Sequence, residues 1–288
     1  MQNYLLSEDD GLLLRPAGAW TAKKLDYLTR YIEIFETAMR DKWGARNYID
    51  LLSGPGKNRI RNSKKILLGS PLIALTTPHP FTGYYFVELS EQNKDALEQW
   101  CNSSPFFHRV KLYSGDCNVV VNEITSELKR NENRSLNLAF LDPEGLELQW
   151  KTVARLASIK RMDIILYYPE LGLNLNMRKL YQAEGETAID LFFGGRNWRD
   201  IFAHHQDKVG LHRLLIDLYK SNLVSLGYTE VFLGDEEVGE PLIRNRLRNA
   251  PLYRLIFASK HNLGHKFWHE VIQRDISGQI SLPFGRET

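Results

Sequence analysis

An acid and a glycine-rich bend follow the first strongly apolar stretch of the chain. Residues 48–56 read Tyr-Ile-Asp-Leu-Leu-Ser-Gly-Pro-Gly, in which Asp50 precedes Gly54 and Gly56. Glycine has no Cβ, so the backbone of such a bend can approach a ligand closely. In open α/β sheets, ligands bind beside turns of this kind, at the carboxyl ends of the strands. The stretch predicts a site for a nucleotide-like cofactor, although a glycine bend alone is a weak signal.

Three later apolar runs also end on acids. These acids are Glu88, Asp116 and Asp142, the last followed by Pro143. The carboxyl ends of successive parallel strands meet at one rim of a sheet, so we expect the acids to lie near the glycine bend. S-adenosylmethionine has an amino acid end, a ribose and an adenine. The rim offers each part a partner: the glycine bend for the amino acid end, Glu88 for the ribose hydroxyls and Asp116 for the adenine amine.

The charge of this rim favours S-adenosylmethionine over a dinucleotide. The sulfonium of S-adenosylmethionine is cationic and suits acids, whereas a pyrophosphate prefers a helix N-terminus. The third glycine of a G-x-G-x-x-G loop is missing, because Arg59 occupies its place. The chain also has no G-x-x-x-x-G-K-[ST] loop for nucleotide hydrolysis. A nicotinamide cofactor is therefore disfavoured, and S-adenosylmethionine is the predicted cofactor.

Asp142 and Pro143 are the predicted catalytic residues. In amino-methyltransferases a comparable Asp/Asn-Pro turn hydrogen-bonds the target amine and aims its lone pair at the methyl group, a task of positioning. An isolated Asp-Pro pair is usually an ordinary strand-ending turn. The surrounding set of acids favours the catalytic interpretation. The turn lacks the aromatic that clamps a flipped base in the Asp/Asn-Pro-Pro-Tyr/Phe form, so a non-catalytic binding module stays an alternative.

A basic stretch separates the glycine bend from the next helix, which is expected to begin at Ser70 as N-cap with Pro71 in its first turn. The cations of this stretch are Lys57, Arg59, Arg61, Lys64 and Lys65. In a plain nucleotide-binding fold the helix follows the bend directly, so the stretch is predicted to be an insertion at the pocket mouth that binds nucleic acid. A solvated surface loop is the alternative.

Basic and aromatic residues nearer the C-terminus could extend this surface into a groove for nucleic acid. They are Arg244, Arg246, Arg248, Arg254, Lys260, Lys266 and Arg274, with Trp198, Tyr253 and Trp268. The alternative is that they are scattered over the surface.

Composition narrows the class of protein. A chain of 288 residues with 43% hydrophobic content can bury a large core, and a formal charge of +2 does not demand a polyanionic partner. Cys101 and Cys117 are too few for a disulfide framework and form no C-x-x-C pair, which fits a reducing compartment. No leader and no run of ~18 to 20 apolar residues is evident. We therefore expect a cytoplasmic protein without membrane insertion.

The apolar patterns alternate between helix and strand. Leu25, Leu28, Ile32, Phe35 and Met39 recur at helical spacing and predict a helix over 21–46 that starts at Thr21. The later predicted strands are 83–89, 110–113, 136–141, 163–168, 228–232 and 252–259, and the predicted helices between them are 91–101, 119–129 and 150–158.

These elements predict an α/β, Rossmann-like class I methyltransferase fold with a mostly parallel seven-stranded sheet. The last two strands are joined by too short a connection for a crossover helix, so they are expected to give an antiparallel edge. A helical insertion is expected at about 171–222. We predict a single domain over 1–288 with an N-terminal helical segment at 1–46.

The chain as a whole resembles the three-Cys-motif partner proteins, which are grouped with the class I methyltransferases. The resemblance is carried by Lys24-Leu25, Tyr31, Ile49-Asp50-Leu51, Gly54-Pro55-Gly56, Gly69-Ser70-Pro71, Gly115-Asp116-Cys117-Asn118, Phe140-Leu141-Asp142-Pro143, Trp150, Leu255-Ile256-Phe257-Ala258-Ser259-Lys260 and Phe267-Trp268. These pieces cover nearly the full length. Ser53 departs from the usual Ala-Gly-Pro-Gly loop, a small change that should not block binding. The resemblance implies a separately encoded partner protein that carries the cysteines.

Two weaker signals lead to no separate site. Cys117 is expected to be a buried structural thiol rather than a nucleophile. His261, His265 and His269 are spaced by four, as metal ligands on a helix would be, but Gly264 is expected to break that helix, so we predict a solvated turn and no metal.

The function predicted from the sequence is S-adenosylmethionine-dependent methyl transfer to a nitrogen of nucleic acid. The alternative is a non-catalytic methyltransferase-like module that binds a Cys-motif partner protein or nucleic acid.

Overall fold

The structure is a computed structural model that describes residues 5–205, 210–228, 240–245 and 250–273. The strands are β1 Leu6–Ser7, β2 Arg15–Ala17, β3 Ala45–Asp50, β4 Lys57–Ile60, β5 Ile66–Leu68, β6 Gly83–Glu88, β7 Val110–Ser114, β8 Ser135–Leu141, β9 Met162–Tyr168, β10 Leu242–Asn245 and β11 Ala250–Ala258. The helices are α1 Thr21–Met39, α2 Ser70–Thr76, α3 Glu91–Asn102, α4 Cys117–Lys129, α5 Trp150–Ala157, α6 Glu170–Tyr181, α7 Ala188–Phe193, α8 Asn197–His205, α9 Leu211–Ser225 and α10 Asn262–Gln273.

A seven-stranded sheet forms the centre of the molecule, in the order β7-β6-β3-β8-β9-β11-β10. The five strands from β7 to β9 pair in parallel, and β11 pairs antiparallel with β9 on one side and β10 on the other. Numbered along the chain within this sheet, the order is 3-2-1-4-5-7-6. This is the strand order of the class I methyltransferase fold, as predicted.

The last two strands, β10 and β11, pair antiparallel at the edge of the sheet, as predicted. The edge strand is Leu242–Asn245. A further strand was predicted at 228–232. Tyr228 is buried but lies in no strand, and the other residues of that predicted strand lie outside the described residues.

Both faces of the sheet are covered by helices, which explains why its strands are continuous apolar runs. Along β8, Leu138 and Phe140 pack under α1, α2, α3 and α10. Ala139 and Leu141 point to the other face, which packs against α4 to α9. The alternation of side chains along each strand therefore builds two cores, one on each face.

Helix α1 is shorter than predicted, because the chain leaves the helix after Met39 to enter β3 at Ala45. Its N-cap is Trp20 rather than Thr21, without a side-chain cap. A buried ion pair at 2.8 Å joins Glu36 of this helix to Arg46 of β3. The strands β1 and β2 precede α1, so helix is confined to part of the segment 1–46.

A second, four-stranded sheet has the order β1-β5-β4-β2. The basic stretch is therefore not simply a solvated surface loop, because it forms β4 and the turn that leads to β5. Strand β2 pairs in parallel with β4, placing Arg15 opposite Asn58. This pairing brings the start of the chain beside the glycine bend.

The region predicted to be helical at 171–222 contains α6 to α9. Trp198 of α8 is fully buried, and its indole Nε1 donates to Asp190 at 2.8 Å. Arg199 also pairs with Asp190 at 2.7 Å. Within the part of the chain that the structure describes, no helix has both the length and the apolar character needed to cross a bilayer.

The prediction that Gly264 ends a helix is wrong. Gly264 lies inside α10, where it is buried against Ser259. A Cβ at this position would come within 2.4 Å of the Ser259 hydroxyl oxygen, so close packing explains the glycine. His265 packs edge-on against Phe257 with ring centroids 5.3 Å apart, a core contact rather than a solvated turn.

Gly69 joins the glycine bend to α2. It is the N-cap of this helix, and its amide donates to the carbonyl of Gly56 at 2.6 Å. Ser70, the predicted N-cap, is the first helical residue. A Cβ at Gly69 would lie 2.7 Å from that carbonyl oxygen, a distance that real Cβ contacts do not reach.

We expect Gly69→Ala to lower the free energy of unfolding by about 1 to 3 kcal/mol, because the backbone of the bend must shift to admit the methyl group. Gly44→Ala is the matched control: nothing lies within 4 Å of its Cβ position, so its effect should stay within about 0.5 kcal/mol. Urea unfolding of both variants measures the difference. Equal stabilities would show that Gly69 has no steric role.

Candidate functional site

A cavity of about 500 Å³ opens at the carboxyl ends of the parallel strands. Four of the predicted site residues meet in its wall, namely Gly54, Glu88, Asp116 and Asp142. They follow β3, β6, β7 and β8, in the arrangement that the sequence predicted. We call this space the donor cavity, for the methyl donor that the sequence predicts there.

Glu88 closes the glycine bend. Its Oε2 accepts from the amide of Gly54 at 2.7 Å, and its Oε1 accepts from the amide of Ser90 at 3.0 Å and from Asn93 Nδ2 at 3.2 Å. A carboxylate offers about four lone-pair sites, so these three bonds leave room for one more donor. Gly54 has φ +64°, a backbone conformation that favours glycine.

The amides of the bend from Leu52 to Gly54 are already occupied. The amide of Leu52 donates to Asp50 Oδ1 at 3.2 Å, that of Ser53 donates to the Val87 carbonyl at 3.0 Å, and that of Gly54 donates to Glu88. Pro55 has no N–H. The bend therefore offers a ligand its open surface rather than its hydrogen-bond donors.

Gly56 and Asp50 lie away from the donor cavity. Gly56 has φ +93° and faces Leu72 and Leu97, and a Cβ there would be 3.3 Å from both side chains. Asp50 is fully buried, and burial raises its pKa to about 7. The negative charges of Asp142 and Glu88 contribute to this raised pKa. Asp50 holds the bend through its bond to Leu52.

Asp116 is the N-cap of α4, as the acid after β7. Its Oδ1 accepts from the amide and from the side-chain Nδ2 of Asn118, both at 2.8 Å. Asn118 in turn accepts from Thr152 Oγ1 at 2.6 Å, which ties α5 to this wall of the donor cavity. Cys117 is buried, and burial raises the pKa of its thiol to about 12, which favours the thiol over a thiolate nucleophile.

Asp142 forms an ion pair with Lys24 of α1, and both residues are less than a tenth exposed. The Lys24 ammonium also lies 4.9 Å from the ring centroid of Tyr167. Burial lowers the pKa of Lys24, although the charge of Asp142 opposes this shift. The partner Lys24 was not among the predicted site residues. The sequence pattern that could have identified it is a cation one helical turn before Leu28, on the apolar face of an amphipathic helix.

Pro143 is buried in the turn after β8 and does not line the donor cavity. It also does not line the adjoining cavity described next.

A second cavity of about 250 Å³ adjoins the donor cavity and shares Asp142 with it. We call it the acceptor cavity, for the methyl acceptor that the sequence predicts beside Asp142. Its wall carries the cations Arg15, Lys24, Lys57 and Arg61, the acids Asp142 and Glu144, and the aromatic residues Trp20 and Tyr253. Planar and positively charged groups therefore surround one side of Asp142.

The basic stretch divides into two parts. Lys57 is buried, and its ammonium donates to Asp10 at 2.8 Å and to the Glu8 carbonyl at 2.9 Å while lying 3.6 Å from the Trp100 ring centroid. Arg59 forms an ion pair with Asp9. The structure therefore argues against Lys57 as an exposed contact for nucleic acid. Arg61, Lys64 and Lys65 are exposed around the turn between β4 and β5.

Several residues of the groove expected near the C-terminus are buried and occupied within the fold. Arg254 is buried in an ion pair with Glu170 at 2.8 Å, and Lys260 donates to backbone carbonyls, including that of Ile159 at 3.3 Å. Trp198 and Trp268 are buried. The predicted contacts Arg246, Arg248 and Arg274 lie outside the described residues.

Comparison with known proteins gives distant likenesses in structure. No protein-family model and no curated protein matches the chain. The O-methyltransferase TomG from Streptomyces achromogenes, solved with S-adenosylmethionine, is 10% identical with a TM-score of 0.40, over 89% of this chain and 92% of that one. A geranyl diphosphate methyltransferase solved with sinefungin is 10% identical with a TM-score of 0.37, over 91% and 90%. Protein LPL1258 from Legionella pneumophila is 15% identical with a TM-score of 0.37, over 55% and 74%. At these scores they do not bear on the substrate or cofactor of this chain, whose fold is defined by its own strand order.

Proposed function

We propose that this protein transfers a methyl group from S-adenosylmethionine to a nitrogen of nucleic acid. The observation that carries the proposal is the meeting of Gly54, Glu88, Asp116 and Asp142 in the wall of the donor cavity. Its volume of about 500 Å³ lies within the range of about 300 to 1,000 Å³ that is usual for small-molecule sites.

The lining of the donor cavity suits this cofactor. Leu51, Leu52, Leu89 and Cys117 provide apolar surface for a flat ring. Glu88 has a free acceptor position for a ribose hydroxyl, and Asp116 lies one strand further along the rim. The acids around the cavity complement a cationic sulfonium. When bound, S-adenosylmethionine supplies an electrophilic methyl group.

Asp142 would position the methyl acceptor. Its Oδ2 accepts from the Lys24 ammonium, so Oδ1 is the oxygen that an acceptor N–H would meet. A hydrogen bond from that N–H fixes the orientation of the nitrogen lone pair. Asp142 is largely buried, and the low local dielectric strengthens such a bond.

The acceptor cavity favours a nucleobase as the acceptor. Trp20 and Tyr253 supply the aromatic surfaces that the Asp-Pro-Glu-Gly turn lacks in its own sequence. Aromatic side chains stack on bases with little dependence on base identity. Arg61 is exposed at the rim of this cavity, where it can meet a phosphate.

A non-catalytic module is the second candidate, and one observation favours it. Asp142 already has a buried ionic partner in Lys24, so the pair can be understood as a structural element of the fold. The two candidates differ in whether Asp142 matters for turnover or only for stability.

The sequence resemblance adds a partner to either candidate. We propose that a separately encoded three-Cys-motif protein binds this chain. Co-expression of the two followed by size-exclusion chromatography tests this point. Elution of the two chains at their separate volumes would exclude a stable complex.

We expect the full-length protein to bind S-adenosylmethionine in isothermal titration calorimetry and to methylate a pool of random-sequence RNA and DNA oligonucleotides. Asp142→Ala should lower turnover on the order of 100-fold, because it removes the side-chain oxygen that orients the acceptor. Cofactor affinity should change less than about threefold, which corresponds to no more than one ordinary hydrogen bond.

Asp95→Asn, at an exposed position of α3, is the matched control for loss of one negative charge, and should leave turnover unchanged. Failure of the folded wild-type protein to bind the cofactor would overturn the proposed function. Cofactor binding without methyl transfer to either polymer would remove nucleic acid as the acceptor and support the non-catalytic candidate.

We expect Lys24→Met to destabilise the fold by about 3 to 5 kcal/mol, because it leaves the buried Asp142 carboxylate without its counter-charge. The double variant Lys24→Met with Asp142→Asn should recover part of this loss, since it no longer buries a lone charge. Urea unfolding at pH 7 measures both. Additive losses in the double variant would show that the two side chains do not interact.

A further inference from the structure

The amino acid end of the proposed cofactor carries a carboxylate that the part of the glycine bend facing the donor cavity cannot serve. The amides of Leu52, Ser53 and Gly54 all donate to groups of the protein, Pro55 has none, and Gly56 lies away from this cavity. A carboxylate placed against this bend therefore needs a donor from another element.

Arg15 of β2 is the group in position to act as that donor. A methyl group at Gly54 would lie 3.7 Å from the Arg15 Nη1 atom, so the guanidinium lies directly over the open face of the bend. Arg15 lines both the donor and the acceptor cavity. The pairing of β2 with β4 fixes the strand from which it projects.

The charges around the donor cavity single out the same residue. Arg15 is the only cation among the described residues that line this cavity. The acids in the wall are Glu88, Asp116, Asp142, Glu144 and Glu147. A free carboxylate in this wall would be repelled everywhere except beside Arg15. The present ionic partner of Arg15 is Glu144, whose side chain is 70% exposed. An exposed ion pair is weak, so a bound carboxylate can compete with Glu144 for the guanidinium.

We propose that Arg15 binds the carboxylate of the amino acid end of the cofactor. This inference rests on the proposed function and extends it, since it names the residue that distinguishes ligands with an amino acid end from those without one. A guanidinium can form two parallel hydrogen bonds to a carboxylate, which a single ammonium cannot.

Two adenosine thioethers distinguish the contribution of this contact to affinity from that of the rest of the pocket. S-adenosylhomocysteine carries the amino acid end, and 5′-methylthioadenosine lacks it. In titration calorimetry with the full chain, Arg15→Gln should lower the affinity for S-adenosylhomocysteine on the order of 10- to 100-fold, because a charge-assisted hydrogen bond is lost. The same variant should change the affinity for 5′-methylthioadenosine by less than about twofold, since that ligand makes no such bond.

Glu144→Gln is the matched control, because it removes the same ion pair and leaves Arg15 in place. Under our inference it should keep or improve the affinity for S-adenosylhomocysteine. Arg15→Lys keeps the positive charge but loses the paired N–H groups of the guanidinium, so its affinity for S-adenosylhomocysteine should fall between those of wild type and Arg15→Gln. Thermal melting of each variant verifies that it is folded.

The outcomes separate two failures. Wild-type protein that binds neither thioether would overturn the proposed function together with this inference. Wild-type protein that binds both, with Arg15→Gln losing both equally or neither, would overturn the role of Arg15 alone. An equal loss of S-adenosylhomocysteine in Glu144→Gln would show that the ion pair, rather than the guanidinium, shapes the pocket.

Discussion

The buried ion pair between Lys24 and Asp142 is the interaction on which the site depends. Asp50 and Asp142 end neighbouring strands of the sheet, and Glu88 ends the strand on the other side of β3. Their proximity is unfavourable: burial is the main cause of the raised pKa of Asp50, near 7, and the charges of Asp142 and Glu88 contribute to it. One ammonium at Asp142 compensates for this concentration of negative charge in a region that water cannot screen. The fold can therefore keep its acids together at the rim without a bound cation.

The first forty residues supply the groups that the sheet itself does not. Helix α1 delivers Lys24, and its position is fixed at both ends: Tyr167 donates to the Lys24 carbonyl at 2.7 Å, and Glu36 pairs with Arg46 of β3. Strand β2 delivers Arg15 through its pairing with β4. The rim of a parallel sheet is built from the loops that leave its strands, and here those loops carry acids. The cations at the rim therefore come from chain that is added around the sheet.

The sequence predicted the sheet well because buried parallel strands are continuous apolar runs, and it predicted the acids because they come directly after these runs. Contacts between distant segments were not predictable in the same way. Lys57 looked like part of a solvated charge run, but its partners Asp10 and Glu8 belong to a segment without any strong local pattern. Gly264 read as a helix breaker, yet the close approach of Ser259 gives it a place inside the helix. Arg15 gave no local signal, since its role depends on the pairing of two short strands.

The two cavities differ in charge, and this difference bears on how the proposed reactants would meet. The wall of the donor cavity is dominated by acids and suits a cationic methyl donor, while cations and aromatic rings line the acceptor cavity and suit a planar, anionic acceptor. Asp142 and Gly54 belong to both walls, so the two ligands would meet at these residues. The charge pattern would thus set the direction from which each ligand approaches Asp142, before any specific hydrogen bond forms.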